Sequence, residues 1–433
     1  MDSAVDVQKA TNPKMKRIAV AACSGTLIEF FDYASYAYLA ATIAIVFFPA
    51  AGEGHASLQV WGIFAVSFLV RPLGGIFWGY VGDRIGRPRT LSLTIIGTGL
   101  STTIIGLLPG YATLGSLAPV LLLTARIVQG FCASGEYAGA AVLLGEHAPP
   151  SKRAGYVSLI AIGNAGGFLV ASFFVTGLHA MLDAQAVEAW GWRIPFLLAA
   201  PLTVIAWYIR RNVEETPDFE NVKRKTAAEV KQPFLATLAP HWRTLCRLLL
   251  VMGLNAGAYY LILTYMASYI EEQVGLSSIQ SNIIITVSLI VYLPTLFLLA
   301  RVSDKIGRKP LLIVNCLLFV ALGLPAFILL SNGQFVTAFV VQILMTTIFA
   351  MSDSTFATFF VESLPANVRF SGFSILFNFG VAIFAGTTPL IATWLINATG
   401  NSTAPAFVLM ALGLMGLLAL RGLKETAPAR TKK

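Results

Sequence analysis

The sequence predicts an all-α membrane protein in which twelve transmembrane helices form two pseudo-symmetric six-helix bundles. Three observations carry that prediction. Apolar residues make up 56% of the 433-residue chain and the mean hydropathy is +0.75, beyond the roughly 50% apolar content of soluble domains. Charge-free runs repeatedly reach the about 20 residues that a spanning helix needs; Phe370 to Leu420 contains no Asp, Glu, Lys or Arg. A charged pentapeptide, Asp83-Arg84-Ile85-Gly86-Arg87, returns as Asp304-Lys305-Ile306-Gly307-Arg308, which points to an internal duplication. Uninterrupted apolarity excludes a membrane β-barrel, whose strands alternate with a period of two.

The predicted spans lie near residues 19–48, 58–81, 90–109, 116–146, 153–181, 191–211, 244–271, 280–301, 310–330, 334–361, 368–396 and 405–423. Four Lys or Arg precede the first span, as in a signal peptide, but the segment is too long for one and carries Glu29 and Asp32. It is expected to be an uncleaved first helix. The charged pentapeptides end spans 2 and 8. The Gly- and Asn-bearing turns "SNG" (Ser331 to Gly333) and "NATGNSTAP" (Asn397 to Pro405) separate spans 9 from 10 and 11 from 12. The expected organisation is a tail over 1–17, a six-helix bundle over 18–211, a polar linker over 212–243, a second bundle over 244–423 and a tail over 424–433.

Of the 30 Lys and Arg, 27 fall on the termini and every second loop; Arg71, Arg126 and Arg193 are the exceptions. This asymmetry puts both termini in the cytoplasm. It also accounts for most of the +9 net charge, so no nucleic-acid partner is expected. Cys23, Cys132, Cys246 and Cys316 are scattered, and the four histidines show no ligand spacing. No metal and no cofactor is expected.

A second echo supports the duplication. Glu146, Pro149 and Arg153 follow span 4 with the spacing that Glu362, Pro365 and Arg369 show after span 10. "EETPDF" from Glu214 and "KETAPA" from Lys424 are a weaker third pair. Two repeated bundles are the architecture of alternating-access transporters, with substrate near the membrane midplane between them. The charged turns, comprising Gly79, Asp83, Arg84, Gly86 and Arg87 in one copy and Asp304, Gly307 and Arg308 in the other, are expected to form a conformational latch. Glycine permits tight turns there, and an Asp can accept from the open N–H groups of a neighbouring helix start. The alternative, a positive-inside anchor with no moving part, is less well served by two copies at matching places.

The pattern G-x3-D-R-x-G-R from Gly79 to Arg87 resembles the signature loop of the major facilitator superfamily. "IEFFDYASYAY" (Ile28 to Tyr38), "RPLGGIFWGYVGDRIGR" (Arg71 to Arg87), "RIVQGFCASGEYAGA" (Arg126 to Ala140) and "WGWRIPF" (Trp190 to Phe196) are similar to the metabolite:proton symporter family. That family includes bacterial transporters for citrate, α-ketoglutarate, shikimate and proline/betaine. The resemblance implies an inner-membrane, proton-driven importer of a small polar metabolite, working as a monomer in the lipid bilayer, with Asp32, Arg71, Arg126 and Glu136 at motif positions. Some osmolyte transporters of the family end in a long coiled coil, which is not expected here because only 424–433 follow the last helix.

An ionisable group inside a spanning helix is costly and marks function by default. Glu29, Asp32, Arg71, Arg126, Glu136 and Asp353 are six such groups. At 1.5 Å per residue, Asp32 lies roughly 20 Å into span 1, and Arg71, Glu136 and Asp353 lie about 14 to 18 Å from the ends of theirs. Proton coupling needs a carboxylate that titrates as its surroundings change, so Asp32 and Glu136 lead, with Glu29 and Asp353 behind them. A guanidinium stays charged and grips carboxylates in two places, which makes Arg126 the first substrate ligand and Arg71 the second. Tyr265 and Tyr269, at i and i+4 in span 7, with Asn255 and Asn378, are expected to line the cavity. The competing reading of these groups is structural: acids paired with arginines, and aromatic packing.

The first functional reading is therefore proton-coupled uptake of a small carboxylate metabolite. The alternative substrate is a zwitterion such as proline or betaine, since a quaternary ammonium favours carboxylates and aromatic rings. A proton-driven exporter comes third. A membrane-embedded enzyme would need a nucleophile–base or metal constellation, and none is apparent in the spans. No phosphate-binding Gly-rich loop ending in Lys-Ser/Thr appears, so ATP is not the expected energy source.

Overall fold

A computed structural model describes residues 13–49, 53–85, 87–135, 137, 140–141, 144–145, 148–211, 242–364 and 369–427. Among them there is no strand. The helices run in chain order as α1 (Pro13–Tyr38), α2 (Ala40–Phe47), α3 (Glu53–Leu69), α4 (Arg71–Ile85), α5 (Arg87–Leu107), α6 (Leu117–Cys132), α7 (Arg153–Met181) and α8 (Arg193–Arg211). The second half holds α9 (Trp242–Tyr259), α10 (Met266–Glu272), α11 (Ser278–Ile306), α12 (Arg308–Leu330), α13 (Phe335–Asp353), α14 (Phe356–Ser363), α15 (Arg369–Gly380), α16 (Thr387–Thr399) and α17 (Pro405–Arg421).

Seven spans are long, continuous and apolar; two more are bent pairs, and α17, α6 and the Ser92–Leu107 part of α5 are shorter apolar helices. Together they fill the twelve predicted places. Large apolar side chains such as Ile76, Leu100, Leu298 and Val336 stay exposed on the outer faces, as a hydrocarbon environment allows. Local chemistry sets the helix ends. Ser277 and Gln280 form a reciprocal capping box at the start of α11. At the close of α16, Gly400 takes a left-handed conformation (φ 65°).

The spans are less regular than hydropathy predicts. The first bends by 63° between its two helices. Just before the bend, Ser35 Oγ donates to the carbonyl of Phe31, an arrangement that bends helices. Spans 7 and 11 each contain a π-helical turn, at Tyr260–Tyr265 and Val381–Ala385; such turns are frequent at functional sites.

Within the first half α1 lies along α7 and α5 against α8; within the second α11 lies along α13 and α12 against α17. Between the halves, α7 packs on α11 and α3 on α16. Spans 5 and 8, and spans 2 and 11, thus flank the midline, leaving spans 1, 4, 7 and 10 to face the centre. The α1–α7 approach depends on glycine: a Cβ at Gly167 would lie 2.3 Å from the carbonyl oxygen of Leu27.

Candidate functional site

Two cavities lie at the depth of the buried charges. The central one, about 330 Å³ of unfilled space, lies between the halves. From the first half come Phe30, Arg71, Tyr137 and Asn164; from the second, Met252, Asn255, Tyr259, Tyr260, Asp353, Phe356 and Phe377. The other, about 340 Å³, lies wholly within the first half, where Glu29 and Asp32 meet Thr94, Thr98, Cys132 and Thr203.

The central cavity has a cationic and an anionic pole. Arg71, 1% exposed, is ion-paired to Glu29 and donates from Nη2 to the Ala133 carbonyl at 3.1 Å. Its Nε and Nη1 have no hydrogen-bond partner. The rings of Tyr33 and Phe68 lie 5.5 and 5.4 Å from the guanidinium carbon. At the other pole, Asp353 accepts from Tyr292 Oη at 2.8 Å and from Asn255 Nδ2 at 3.3 Å. Between the poles stand aromatic walls. Tyr137 stacks on Phe377 with ring centroids 4.2 Å apart, and Tyr259 meets Phe30 edge-on at 5.9 Å. The hydroxyls of Tyr259 and Tyr260 have no hydrogen-bond partner.

A buried chain of hydrogen bonds runs through the first half in one direction. Arg126 Nη1 donates to Gln129 Oε1 (2.6 Å), Gln129 Nε2 to Thr102 Oγ1 (2.6 Å), and Thr102 Oγ1 to Asp32 Oδ2 (2.8 Å). Arg126 also sits 4.1 Å over the ring of Tyr36. Asp32 Oδ1 has no hydrogen-bond partner, although the residue is 1% exposed. The single hydroxyl proton of Thr102 has a second acceptor, the Thr98 carbonyl at 3.0 Å. When Asp32 takes a proton, the hydroxyl can turn to that carbonyl with no hydrogen bond lost.

The placement of the expected residues separates them. Glu29, Asp32 and Asp353 line the two cavities, as do Arg71 and Asn255. Arg126, expected as first substrate ligand, does not line the central cavity; it is enclosed by Tyr33, Tyr36 and Phe64. Tyr265 packs on Trp61, and Tyr269 donates to the Ser402 carbonyl at 2.9 Å. Their neighbours Tyr259 and Tyr260 face the cavity instead, one turn nearer the midplane. Asn378 donates to the Ser374 carbonyl and lies beside Gly75. Glu136 and Gly86 fall outside the described residues, as do the side chains of Asp83, Arg84 and Arg87 and the surroundings of Gly79.

The second charged turn is fully described. Gly307 takes φ +112° between α11 and α12, where a Cβ would also meet Glu425 Oε2 at 2.7 Å. Asp304 reaches across to the other half and accepts from the backbone N–H groups of Ala154 and Gly155 at 3.2 and 3.3 Å, at the start of α7. Arg308 binds Asp304 (2.8 Å) and Glu362 (3.2 Å), and Glu362 pairs with Arg153 of the first half at 3.3 Å. On the opposite face Ser57 donates to Glu272 at 2.8 Å, and Tyr38 Oη to the Leu263 carbonyl at 3.0 Å. Polar contacts thus join the halves on both sides of the central cavity.

Sequence reasoning missed Tyr137, Tyr292, Gln129 and Thr102. Tyr292 lies in an apolar run where a lone tyrosine has no distinguishing pattern, whereas Tyr137 directly follows Glu136 in "CASGEYAGA" and was a readable signal. Gln129, three residues after Arg126 on one helix face, was a readable signal.

A family model described as Major Facilitator Superfamily matches residues 26–385. The chain is 34% identical over 431 residues to the proline/betaine transporter of Salmonella typhimurium, covering 98% of this chain and 86% of that protein. It is equally similar, at 34% with the same coverage, to the glycine betaine/proline/ectoine/pipecolic acid transporter OusA of Dickeya dadantii. Among solved structures, the proton:xylose symporter XylE bound to 6-bromo-6-deoxy-D-glucose superposes with a TM-score of 0.76 at 18% identity, over 96% of this chain and 97% of that one. That likeness concerns the fold.

Proposed function

This chain belongs to the Major Facilitator Superfamily and is a multi-pass membrane transporter, and from that premise we propose that it takes up a small zwitterion of the betaine or proline type together with protons. The observation that carries the reading is the pairing of Arg71 and Asp353 in one cavity with aromatic walls between them. A substrate carboxylate answers the open Nε and Nη1 of Arg71. Its ammonium answers Asp353 and the faces of Tyr259, Tyr137 and Phe377, since ring quadrupoles attract quaternary ammonium groups.

The carboxylate metabolite expected first fits this cavity less well. A di- or tricarboxylate would bring a second negative charge towards Asp353, and like charges in a buried site repel. The relatives named for proline and betaine support the same choice.

Asp32 is the entry point of the proton path in this account. It is buried, has one unpartnered oxygen, and faces a cavity separate from substrate. Burying a carboxylate without full compensation is expensive, and a proton relieves that cost. The Asp304 contact to the start of α7 acts as the latch: it holds the halves together on the termini's side, proposed as cytoplasmic, and must break for release inward.

Purified protein in proteoliposomes with an inward proton gradient tests the function. Betaine and proline should accumulate, and a protonophore should abolish the accumulation. Citrate, α-ketoglutarate and shikimate should not accumulate. Uptake of one of those three with no uptake of betaine or proline would overturn the reading.

A further inference from the structure

The two cavities share no lining residue, yet Arg71 reaches across the wall between them, to the Ala133 carbonyl and to the Glu29 carboxylate. Glu29 lines the inner cavity with Asp32, and Arg71 lines the central one; the two form an ion pair. We propose that this pair is the coupling element of the transporter: the substrate's carboxylate takes Arg71 from Glu29, and the displaced Glu29 takes up the transported proton. The proposal rests on the zwitterion reading, because it requires a substrate carboxylate at Arg71.

The physical case has three parts. First, Arg71 has partners at Nη2 but none at Nε and Nη1. An incoming carboxylate can therefore begin to bind before Glu29 leaves. Second, a guanidinium has one positive charge. Two carboxylates on it leave the Arg71 end of the cavity with one negative charge in excess, apart from the ammonium at the other pole and at 1% exposure, which a low-dielectric interior penalises. Protonating one carboxylate removes that penalty. Third, the proton has a nearby donor. Glu29 and Asp32 are three residues apart on α1 and open into the same cavity.

The step balances. Substrate carboxylate enters, the Arg71–Glu29 pair breaks, and an Arg71–substrate pair forms. The proton on Asp32 passes to Glu29, and Asp32 regains one from solvent. The other groups that face Glu29 do not replace this role. Arg126 is engaged by Gln129, and its rings screen it from the central cavity. Tyr33 and Tyr260 are phenols, and Cys132 on the inner cavity wall is a neutral thiol donor at most. When the substrate leaves, Arg71 returns to Glu29, which expels the proton. Neither ligand can then cross without the other.

The test is proton uptake on binding, read with a pH indicator in weakly buffered solution of the purified full chain. Wild-type protein should take up about one proton per betaine bound, and the betaine Kd should rise by up to about tenfold per pH unit towards alkaline pH. Choline has the same ammonium but no carboxylate, and should bind without proton uptake. Glu29→Gln should bind betaine with no proton taken up and with a Kd independent of pH; Glu29→Asp should restore the pH dependence.

Betaine binding by wild type without proton uptake, or proton uptake by Glu29→Gln equal to wild type, would overturn the coupling proposal and leave the zwitterion reading standing. Equal proton uptake with choline would do the same. No betaine binding by wild type at all would instead defeat the zwitterion reading. If Glu29→Gln fails to fold, the wild-type comparison of betaine with choline across pH decides alone.

Discussion

In the first half of the molecule four ionisable side chains, Glu29, Asp32, Arg71 and Arg126, are each 5% exposed or less around the midplane. In the second half Asp353 is the buried acid among the described residues at that depth, held by a tyrosine and an asparagine with no cation beside it. The two halves repeat one helix order and one charged turn, so the difference lies in what each places at its centre. An acid paired with an arginine, and another in a hydrogen-bonded chain, suits the movement of a proton. A lone acid among aromatic rings suits a cation that arrives from outside. On the reading proposed above, the two halves share a frame and divide proton handling from ammonium recognition.

Mutations can break or sharpen that division. The largest effect is expected from Asp32→Asn, which should reduce proton-driven betaine accumulation in proteoliposomes to the level of empty vesicles. Accumulation close to wild type would remove Asp32 from the proton path. Next is Asp353→Asn, which keeps one acceptor oxygen, puts a donor in place of the other, and removes the charge proposed to meet the ammonium. Betaine Kd should rise about 30-fold, in line with about 2 kcal/mol for losing one partner of a desolvated charge pair.

Tyr259→Leu should weaken betaine by about fivefold, the size of a desolvated cation–π contact, and should affect proline less, since a secondary ammonium also draws on hydrogen bonds. Equal losses for both would make Tyr259 a packing residue. Asp304→Asn touches neither pole. Turnover should fall by about fivefold, the scale of one helix-start contact, with betaine Kd moving less than twofold. A mutant with normal turnover and weakened binding would refute the latch.

Much of this was readable in the chain. Charge-free runs and the repeated turn located twelve spans, because lipid leaves few options for a backbone that must satisfy its own hydrogen bonds. The cost of buried charge marked Glu29, Asp32, Arg71 and Asp353 without any structure. Sequence did not say which arginine faces the central cavity. Arg71 and Arg126 lie at similar depth, and only the rotation of α4 and α6 against their neighbours places one in the cavity and the other under Tyr36. The same limit applies to span 7. Tyr265 and Tyr269 do share a face, as their spacing says, but that face meets Trp61 and Ser402, while Tyr259 and Tyr260, where the π-helical turn begins, line the cavity.

The central claim is that one cavity recognises both charges of its substrate. Equilibrium binding of three matched compounds to the purified protein tests it most directly: betaine, choline, which lacks the carboxylate, and 3,3-dimethylbutyrate, which lacks the positive charge. The account predicts that betaine binds at least about tenfold more tightly than either, a difference of about 1.4 kcal/mol. Binding of choline or dimethylbutyrate as tight as that of betaine would show that one pole is idle and contradict the account.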